Sequence, residues 1–265
     1  EGVIPDYATV VSMLKACSSI QATEKGCEIH AEVERKGLQN ENLFIASCLV
    51  EMYAKFGFMS RSRHVFDALI SRDVVLWNTL ITGYAELGDG GEALKCIIEM
   101  KLQGLSPNSV TYISTLKACG AIGALDMGQE IHSEIERKNL LGTDVVRNTL
   151  VDMYAKCGSL AEAQQLLKNL PAHDIIAWNS LIAGYAQLGE VDNVVHMFDL
   201  LLCKGLKPDS ITFVILLTAC SHLGLVNKSE LYYEWMIKGF GLAPRFEHHS
   251  CMIDVLGRTG QLEKA

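Results

Sequence analysis

A self-similar pattern with a long period most constrains what this chain can fold into. The segment LKACSSIQATEKGCEIHAEVERKGL, which begins at Leu14, returns from Leu116 as LKACGAIGALDMGQEIHSEIERKNL, 102 residues later. Between these copies, CLVEMYAKFG from Cys48 returns as TLVDMYAKCG from Thr149, and LWNTLITGYAELG from Leu76 returns as AWNSLIAGYAQLG. Three unlike sequence types therefore alternate, and such a pattern predicts a stack of repeats rather than one domain around one core.

Cuts at equivalent points divide the chain into repeats of 31 to 36 residues. Within a repeat, Trp77, Leu80, Ile81 and Tyr84 follow the i, i+3, i+4, i+7 spacing of an amphipathic helix, and a second helix follows. We expect the first helix to end at a glycine, which tolerates positive φ. These glycines are Gly57, Gly88, Gly158 and Gly189. The predicted repeats are 7–42, 43–73, 74–108, 109–143, 144–174, 175–209, 210–245 and a partial 246–265, in a single array over 1–265.

A single helix pair cannot bury its apolar face, so neighbouring repeats are predicted to stack. The expected fold class is all-α, a solenoid of antiparallel helix-turn-helix repeats. The composition agrees, with 49% hydrophobic residues, 20% charged residues and five prolines. Nine cysteines without a C-x-x-C pair predict buried free thiols in a reducing compartment and no metal site. No apolar run is long enough for a membrane span, and we expect no targeting peptide in this sequence.

The alternating repeat lengths and the signatures LKAC, LVDMYAKCG and WN-S/T-LI-x-GY resemble the L, S and P repeats of PLS-class pentatricopeptide-repeat (PPR) proteins. The resemblance spans the whole chain and implies a right-handed superhelix that binds single-stranded RNA. In order, the predicted repeats are L, S, P, L, S, P, L and a partial S. The last repeats resemble those that precede the C-terminal extension and DYW deaminase domains of plant organelle RNA-editing factors, so the resemblance implies a fragment without the deaminase.

The family resemblance implies that each repeat recognises one base through its fifth and last residues. The implied recognition pairs are Ser47 with Asp73, Asn78 with Asn108, Asn148 with Asp174, and Asn179 with Asp209. An amide offers donors and an acceptor to a pyrimidine edge, whereas a short serine leaves room for a purine. The L repeats carry Val11, Ile113 and Val214 at the fifth position, which cannot hydrogen-bond a base. The predicted RNA is 5′-x-G-(C/U)-x-U-U-x-x-3′.

The same resemblance implies contacts to base faces and to phosphates. The second residues of the S and P repeats would pack against bases, namely Phe44, Val75, Val145 and Ile176. The cations expected to approach phosphate are Lys55, Lys156 and Arg258. Glu86 and Gln187 occupy that position in the P repeats, which departs from the family. Together with the formal charge of −8, this departure restricts any phosphate attraction to local sites.

Other interpretations stand beside these assignments. Asn and Asp at helix starts can act simply as N-caps, and Trp77 and Trp178 on the apolar stripe are expected in the core. His30 and His132 each begin an H-x-E motif of zinc deaminases, but the P-C-x-x-C that would complete a metal site is missing, so we expect neither catalysis nor a cofactor. The pair His248-His249 is expected to lie on a helix face.

The predicted function is therefore a specificity factor for organellar RNA processing, in the mitochondrion or the chloroplast, with C-to-U editing foremost. RNA splicing or stability is an alternative within the family. A tetratricopeptide-like scaffold for proteins is the alternative outside it, although its repeat is a uniform 34 residues. The resemblance also implies that the L repeats dock multiple organellar RNA editing factor proteins. Ala265 lies early in a predicted second helix, so the uncovered last repeat could self-associate.

Overall fold

The structure is a computed structural model that describes residues 6–38, 42–168 and 174–261, and within them the regular structure is helical. The chain divides into two compact halves, Glu1–Ile122 and Gly123–Ala265. The N-terminal half contains α1 (Tyr7–Ser19), α2 (Thr23–Arg35), α3 (Leu43–Lys55), α4 (Met59–Asp67), α5 (Val74–Glu86), α6 (Gly90–Leu102) and α7 (Ser109–Ile122). The C-terminal half contains α8 (Leu125–Arg137), α9 (Asp144–Lys156), α10 (Leu160–Lys168), α11 (Ile175–Gln187), α12 (Val191–Cys203), α13 (Ser210–His222), α14 (Val226–Lys238) and α15 (Phe246–Arg258).

Each half is a stack in which helices of one kind lie side by side. In the N-terminal half, α1, α3, α5 and α7 pack on one another in chain order, while α2, α4 and α6 each pack on the preceding helix. In the C-terminal half, α9, α11, α13 and α15 form the corresponding row, with α10, α12 and α14 beside it. Because every helix of a row touches the next, side chains at one helix position form a line across several repeats. Among the described residues, no helix is long and apolar enough to cross a membrane.

The apolar stripe predicted from the sequence forms the core. Trp77, Leu80 and Ile81 are fully buried, and the Trp77 ring meets the Phe66 ring edge-on with centroids 4.5 Å apart. Trp178 is 9% exposed, so the prediction that both tryptophans are core residues is confirmed. Burial of such rings is the main driving force for stacking the repeats.

Glycines end the first helices as predicted. Gly57 follows α3 with φ of 78°, and the N–H groups of Gly57 and Phe58 donate to the carbonyls of Ala54 (2.9 Å) and Tyr53 (2.8 Å). These bonds satisfy carbonyls that the helix end would leave open. Positive φ at Gly88, Gly158 and Gly189 confirms the same break in three further repeats.

Two neighbouring glycines at the start of α6 differ sharply in the space around them. A Cβ on Gly90 would lie 2.7 Å from Cγ2 of Ile122 and 3.0 Å from the carbonyl oxygen of Ala118, whereas nothing lies within 4 Å of a Cβ on Gly91. We therefore expect Gly90→Ala to destabilise the N-terminal half by about 1–3 kcal/mol through overpacking. Gly91→Ala should instead stabilise it by about 0.4–1 kcal/mol, because the unfolded chain loses freedom. Urea unfolding of both variants measures the contrast, and equal effects would contradict the close α6–α7 packing.

Candidate nucleic-acid interface

A line of exposed apolar side chains follows the second residue of successive first helices. These side chains are 52–63% exposed. In the N-terminal half they are Phe44, Val75 and Val110, and in the C-terminal half Val145, Ile176 and Ile211. Sequence reasoning assigned four of them and missed Val110 and Ile211, because it treated the L repeats as unable to contact bases. The signal was present, since both follow a serine at the first residue of their helix, in register with the others.

A cavity of 430 Å³ lies between two of these side chains in the N-terminal half. Its walls include Val75 and Val110, and also Asn78 and Asn108. Lys55 and Glu86 are further lining residues. Two β-branched side chains facing one opening, with amides between them, form a slot suited to a flat ring that also carries hydrogen-bonding groups.

A hydrogen-bond network fixes the Asn78 amide in this slot. Nδ2 of Asn78 donates to Oδ1 of Asn108 over 3.1 Å, and the Thr111 hydroxyl donates to Oδ1 of Asn78 over 2.5 Å. The Thr111 hydroxyl also accepts from the Asn108 N–H at 3.1 Å. Among the described residues, one N–H and one lone pair of the Asn78 amide have no recorded partner, because an amide offers two of each. The orientation of this amide, which lines the slot, is therefore fixed.

The C-terminal half repeats this network around Asn179, which is 6% exposed. Nδ2 of Asn179 donates to Oδ1 of Asp209 over 3.1 Å, and the Thr212 hydroxyl lies 2.8 Å from Oδ1 of Asn179 and 2.9 Å from Oδ1 of Asp209. That Asp209 oxygen already accepts from the Thr212 N–H at 2.8 Å. Since a hydroxyl has one proton, we assign it to Asn179, whose oxygen has no other donor in the part of the chain that the structure describes. The side chain is then held as firmly as that of Asn78.

Asn148 differs from the other two asparagines that were predicted to recognise a base. Its Nδ2 donates to Oδ2 of Asp174, but its Oδ1 is buried without a hydrogen-bond partner among the described residues. The cause lies in the next repeat, where Ala177 stands at the third helix position that Thr111 and Thr212 occupy elsewhere. An unsatisfied buried acceptor costs about 1–3 kcal/mol, so a ligand with a matching N–H donor would relieve that cost here.

The predicted last-position residues all act as N-caps. Asp73 accepts from the Leu76 N–H at 2.8 Å, Asp174 from the Ile176 N–H at 3.1 Å, and Asp209 from the Thr212 N–H. The capping interpretation is therefore confirmed for these three aspartates. Asp174 and Asp209 have a second contact besides the cap, because each also accepts a hydrogen bond from an asparagine amide. Ser47 is half-buried and Asp73 is exposed, and within the described residues no hydrogen bond joins them.

The predicted phosphate-contacting cations are each paired with a carboxylate four residues earlier. Lys55 lies 2.7 Å from Glu51, and Lys156 lies 2.8 Å from Asp152. Arg258 lies 2.9 Å from Asp254, whose pKa is held below its ordinary value by the Ser221 hydroxyl and by Arg258. The i, i+4 spacing on a helix brings these charges together. The pairs lower the positive potential that the three cations can offer to a phosphate.

The histidines of the two H-x-E motifs have structural partners. Nδ1 of His30 lies 2.8 Å from the Tyr53 hydroxyl, and Nδ1 of His132 lies 2.9 Å from the Tyr154 hydroxyl. Burial lowers the pKa of His132 and raises that of Tyr53 to about 12. These contacts tie α2 to α3 and α8 to α9. Within the described ranges, no group of His, Cys, Asp and Glu could hold a metal ion.

The prediction that His248 and His249 lie together on a helix face is wrong for His248. His248 is fully buried, where its Nδ1 accepts from the Arg245 N–H and its Nε2 lies 3.0 Å from the Ser210 carbonyl oxygen. Both contacts satisfy one tautomer, with the proton on Nε2. His248 thus caps α15 and ties it to the start of α13. His249 is exposed and lies 3.2 Å from the Tyr233 hydroxyl.

Comparisons with known proteins place this geometry in a family. Residues 72–121 and 173–222 match the model of the PPR repeat family, and residues 145–175 match the PPR repeat model. Pentatricopeptide repeat-containing protein At2g33680 of Arabidopsis thaliana is 38% identical over 265 residues, which cover all of this chain and 36% of that protein. The chloroplastic protein CRR2 of Arabidopsis thaliana is 38% identical over 270 residues and is covered to 41%. The chain thus spans about two fifths of the relatives it matches.

The fold also matches a solved structure. The crystal structure of the pentatricopeptide repeat protein PPR10 in complex with an 18-nt psaJ RNA element aligns with a TM-score of 0.88 and 23% sequence identity, covering all of this chain and 39% of that one. A second PPR10 structure, from maize, aligns with a TM-score of 0.51. The predicted fold class, an all-helical solenoid of stacked helix pairs, is confirmed by the first likeness.

Proposed function

Because this chain is a pentatricopeptide repeat protein, we propose that it binds single-stranded RNA in a sequence-specific way, with one base at each S and P repeat. The observation that carries the proposal is the slot between Val75 and Val110, where an immobilised amide lies between two exposed apolar side chains. Its dimensions and chemistry suit a nucleobase, which has apolar faces and a polar edge. That PPR10 was crystallised with an RNA element is consistent with the proposal.

Each part of a slot has a separate task. The valines pack against the faces of the base, a contact worth about 1–3 kcal/mol per base. The unused donor and acceptor of the asparagine meet the Watson–Crick edge, while the last residue of the repeat orients the amide. Asn148 with Asp174 and Asn179 with Asp209 would select U, Asn78 with Asn108 would select C or U, and Ser47 with Asp73 would select G. The chain would then bind 5′-x-G-(C/U)-x-U-U-x-x-3′.

We further propose that the whole protein directs organellar RNA processing, with C-to-U editing as the specific case. The PLS-type alternation of repeat lengths supports this assignment, as do relatives that are named chloroplastic. The repeats themselves would supply target recognition, and a deaminase would act from another domain or another chain. Single-stranded RNA is the partner that the slots fit, and organellar editing factors that dock on the L repeats would be further partners.

The proposal is tested by titrating this chain with fluorescent RNAs at one fixed salt concentration. An RNA with G-C-A-U-U-U at the predicted register is compared with versions in which A replaces the G or both U bases. Each replaced base should weaken binding by about 1–3 kcal/mol, because a recognition amide or carboxylate loses its partner. A scrambled RNA of the same composition is the control for non-specific attraction. Equal, weak binding of all RNAs would refute base recognition and favour a protein-binding scaffold.

A further inference from the structure

Two lysines of the L repeats stand at a helix position that faces the slots. Lys15 in α1 and Lys117 in α7 are both the ninth residue of their helix, inside the recurring LKAC motif. Glu51 in α3 and Thr82 in α5 occupy the same position, and both line the 430 Å³ slot. The ninth position of a first helix therefore faces the proposed RNA path. Lys15 and Lys117 are exposed there.

Neither lysine has a carboxylate at the helical spacing that forms ion pairs. The residues four positions earlier are Val11 and Ile113, and those four positions later are Ser19 and Ala121, so no helical neighbour can form an i, i+4 ion pair. In the described part of the chain, no salt bridge involves either ammonium group. The S repeats show the opposite arrangement, because their ninth position is a carboxylate that pairs with the cation of the next turn.

The Lys15 ammonium also lies close to a base-packing side chain. Its Nζ is 5.2 Å from the ring centroid of Phe44, in the next repeat of the same half. A cation at this distance is held weakly over the ring by the ring quadrupole. The ammonium is thereby placed beside one of the exposed apolar side chains that would pack against a base.

From these contacts we infer that Lys15 and Lys117 hold the phosphate backbone of the RNA, in place of the paired cations Lys55, Lys156 and Arg258. The inference rests on the proposed RNA binding and deepens it. It assigns a function to the L repeats, which would bind the phosphate backbone while the S and P repeats select the bases. It would also allow a chain of net charge −8 to bind RNA, because two cations on the RNA path that form no recorded ion pair act locally.

Salt dependence distinguishes this assignment from the alternative. For a single strand, the slope of log affinity against log salt concentration is negative, and its magnitude decreases by about 0.7 for each phosphate contact removed. The double variant Lys15→Gln/Lys117→Gln should lower that magnitude by about 1.4 and weaken all RNAs equally, because phosphates carry no sequence. The matched variant Lys55→Gln/Lys156→Gln should leave the slope nearly unchanged. The two double variants change the net charge equally, and Lys25→Gln, on the second helix α2 and paired with Glu28, shows the effect of losing one positive charge from a second helix.

The outcomes separate the two proposals. Circular dichroism and melting temperature check that each variant folds. We expect all of them to fold, because the four lysines lie on exposed helix faces. Bound RNA with an unchanged slope in the L-repeat variant would overturn this inference and leave the proposed function standing. A larger slope change in the Lys55/Lys156 variant would return the phosphate contact to the S repeats. An unaltered chain that binds no RNA would overturn both proposals.

Discussion

Replacing Trp77 with alanine is expected to lower the free energy of unfolding of the N-terminal half by about 3–5 kcal/mol. The indole is fully buried and meets the Phe66 ring edge-on, so alanine would leave a cavity between α4 and α5. Rigid neighbouring helices cannot close a space of this size without losing their own contacts. Urea unfolding followed by circular dichroism measures the loss, and hydrogen exchange should show it first in these two helices.

Two other tryptophan variants make this prediction specific. The Trp77 indole N–H is buried and lacks a hydrogen-bond partner within the described residues. Trp77→Phe keeps an aromatic ring and removes that unsatisfied donor, so its cost should stay below about 1.5 kcal/mol. Trp235→Ala removes a ring that is 37% exposed and should cost less than Trp77→Ala. A similar loss in all three variants would mean that volume at Trp77 does not limit stability.

The regular parts of the fold could be predicted from the sequence, because they depend on local periodicity. The spacing of Trp77, Leu80 and Ile81 defines one apolar face, and a glycine after the helix marks the turn. Burial of His248 could not be predicted in this way. Its two partners, Arg245 and Ser210, lie three and 38 residues away, and only the stacking of α13 against α15 brings the second one near.

The candidate site was predicted only in part. The resemblance pointed to Asn78, Asn148 and Asn179 with their last-position partners, and the structure joins each of these asparagines to its partner. The threonines that orient two of the amides were missed. Thr111 lies 33 residues after Asn78, in the next repeat, so a pattern within one repeat cannot reveal it. The carboxylates paired with the S-repeat cations were visible at i−4 in the sequence, but their effect on phosphate binding depends on which face they share.

The two slots that we propose for uracil differ because of the residue at the third position of the following first helix, which is Ala177 in one case and Thr212 in the other. Ala177 cannot donate a hydrogen bond, so the buried Oδ1 of Asn148 has no donor among the described residues. The Oδ1 of Asn179, in contrast, accepts a hydrogen bond from the Thr212 hydroxyl. The imide N–H of uracil is such a donor. We therefore expect the Asn148 slot to depend more strongly on a base donor than the Asn179 slot, since an unmatched base would leave a buried acceptor unsatisfied.

The double variant Asn148→Ala/Asn179→Ala is expected to lose the largest share of RNA affinity. Each amide should contribute about 1–3 kcal/mol of binding free energy at its base. The contributions of separate slots are additive, so the combined loss is about 2–6 kcal/mol. Titration against the RNA with U-U and the RNA with A-A measures it. The double variant should bind both RNAs alike, because the groups that distinguish the bases are gone.

The matched control for this loss is Asn193→Ala on α12. Asn193 is an exposed asparagine that donates to Glu190 and lies on a second helix, away from the slots. It should keep both the affinity and the preference for U-U. If the double variant still preferred U-U over A-A, the uracil selection would come from packing against Val145 and Ile176 rather than from the amides. The size of the remaining preference would then measure the contribution of shape alone, since truncating an asparagine leaves the apolar walls of its slot in place.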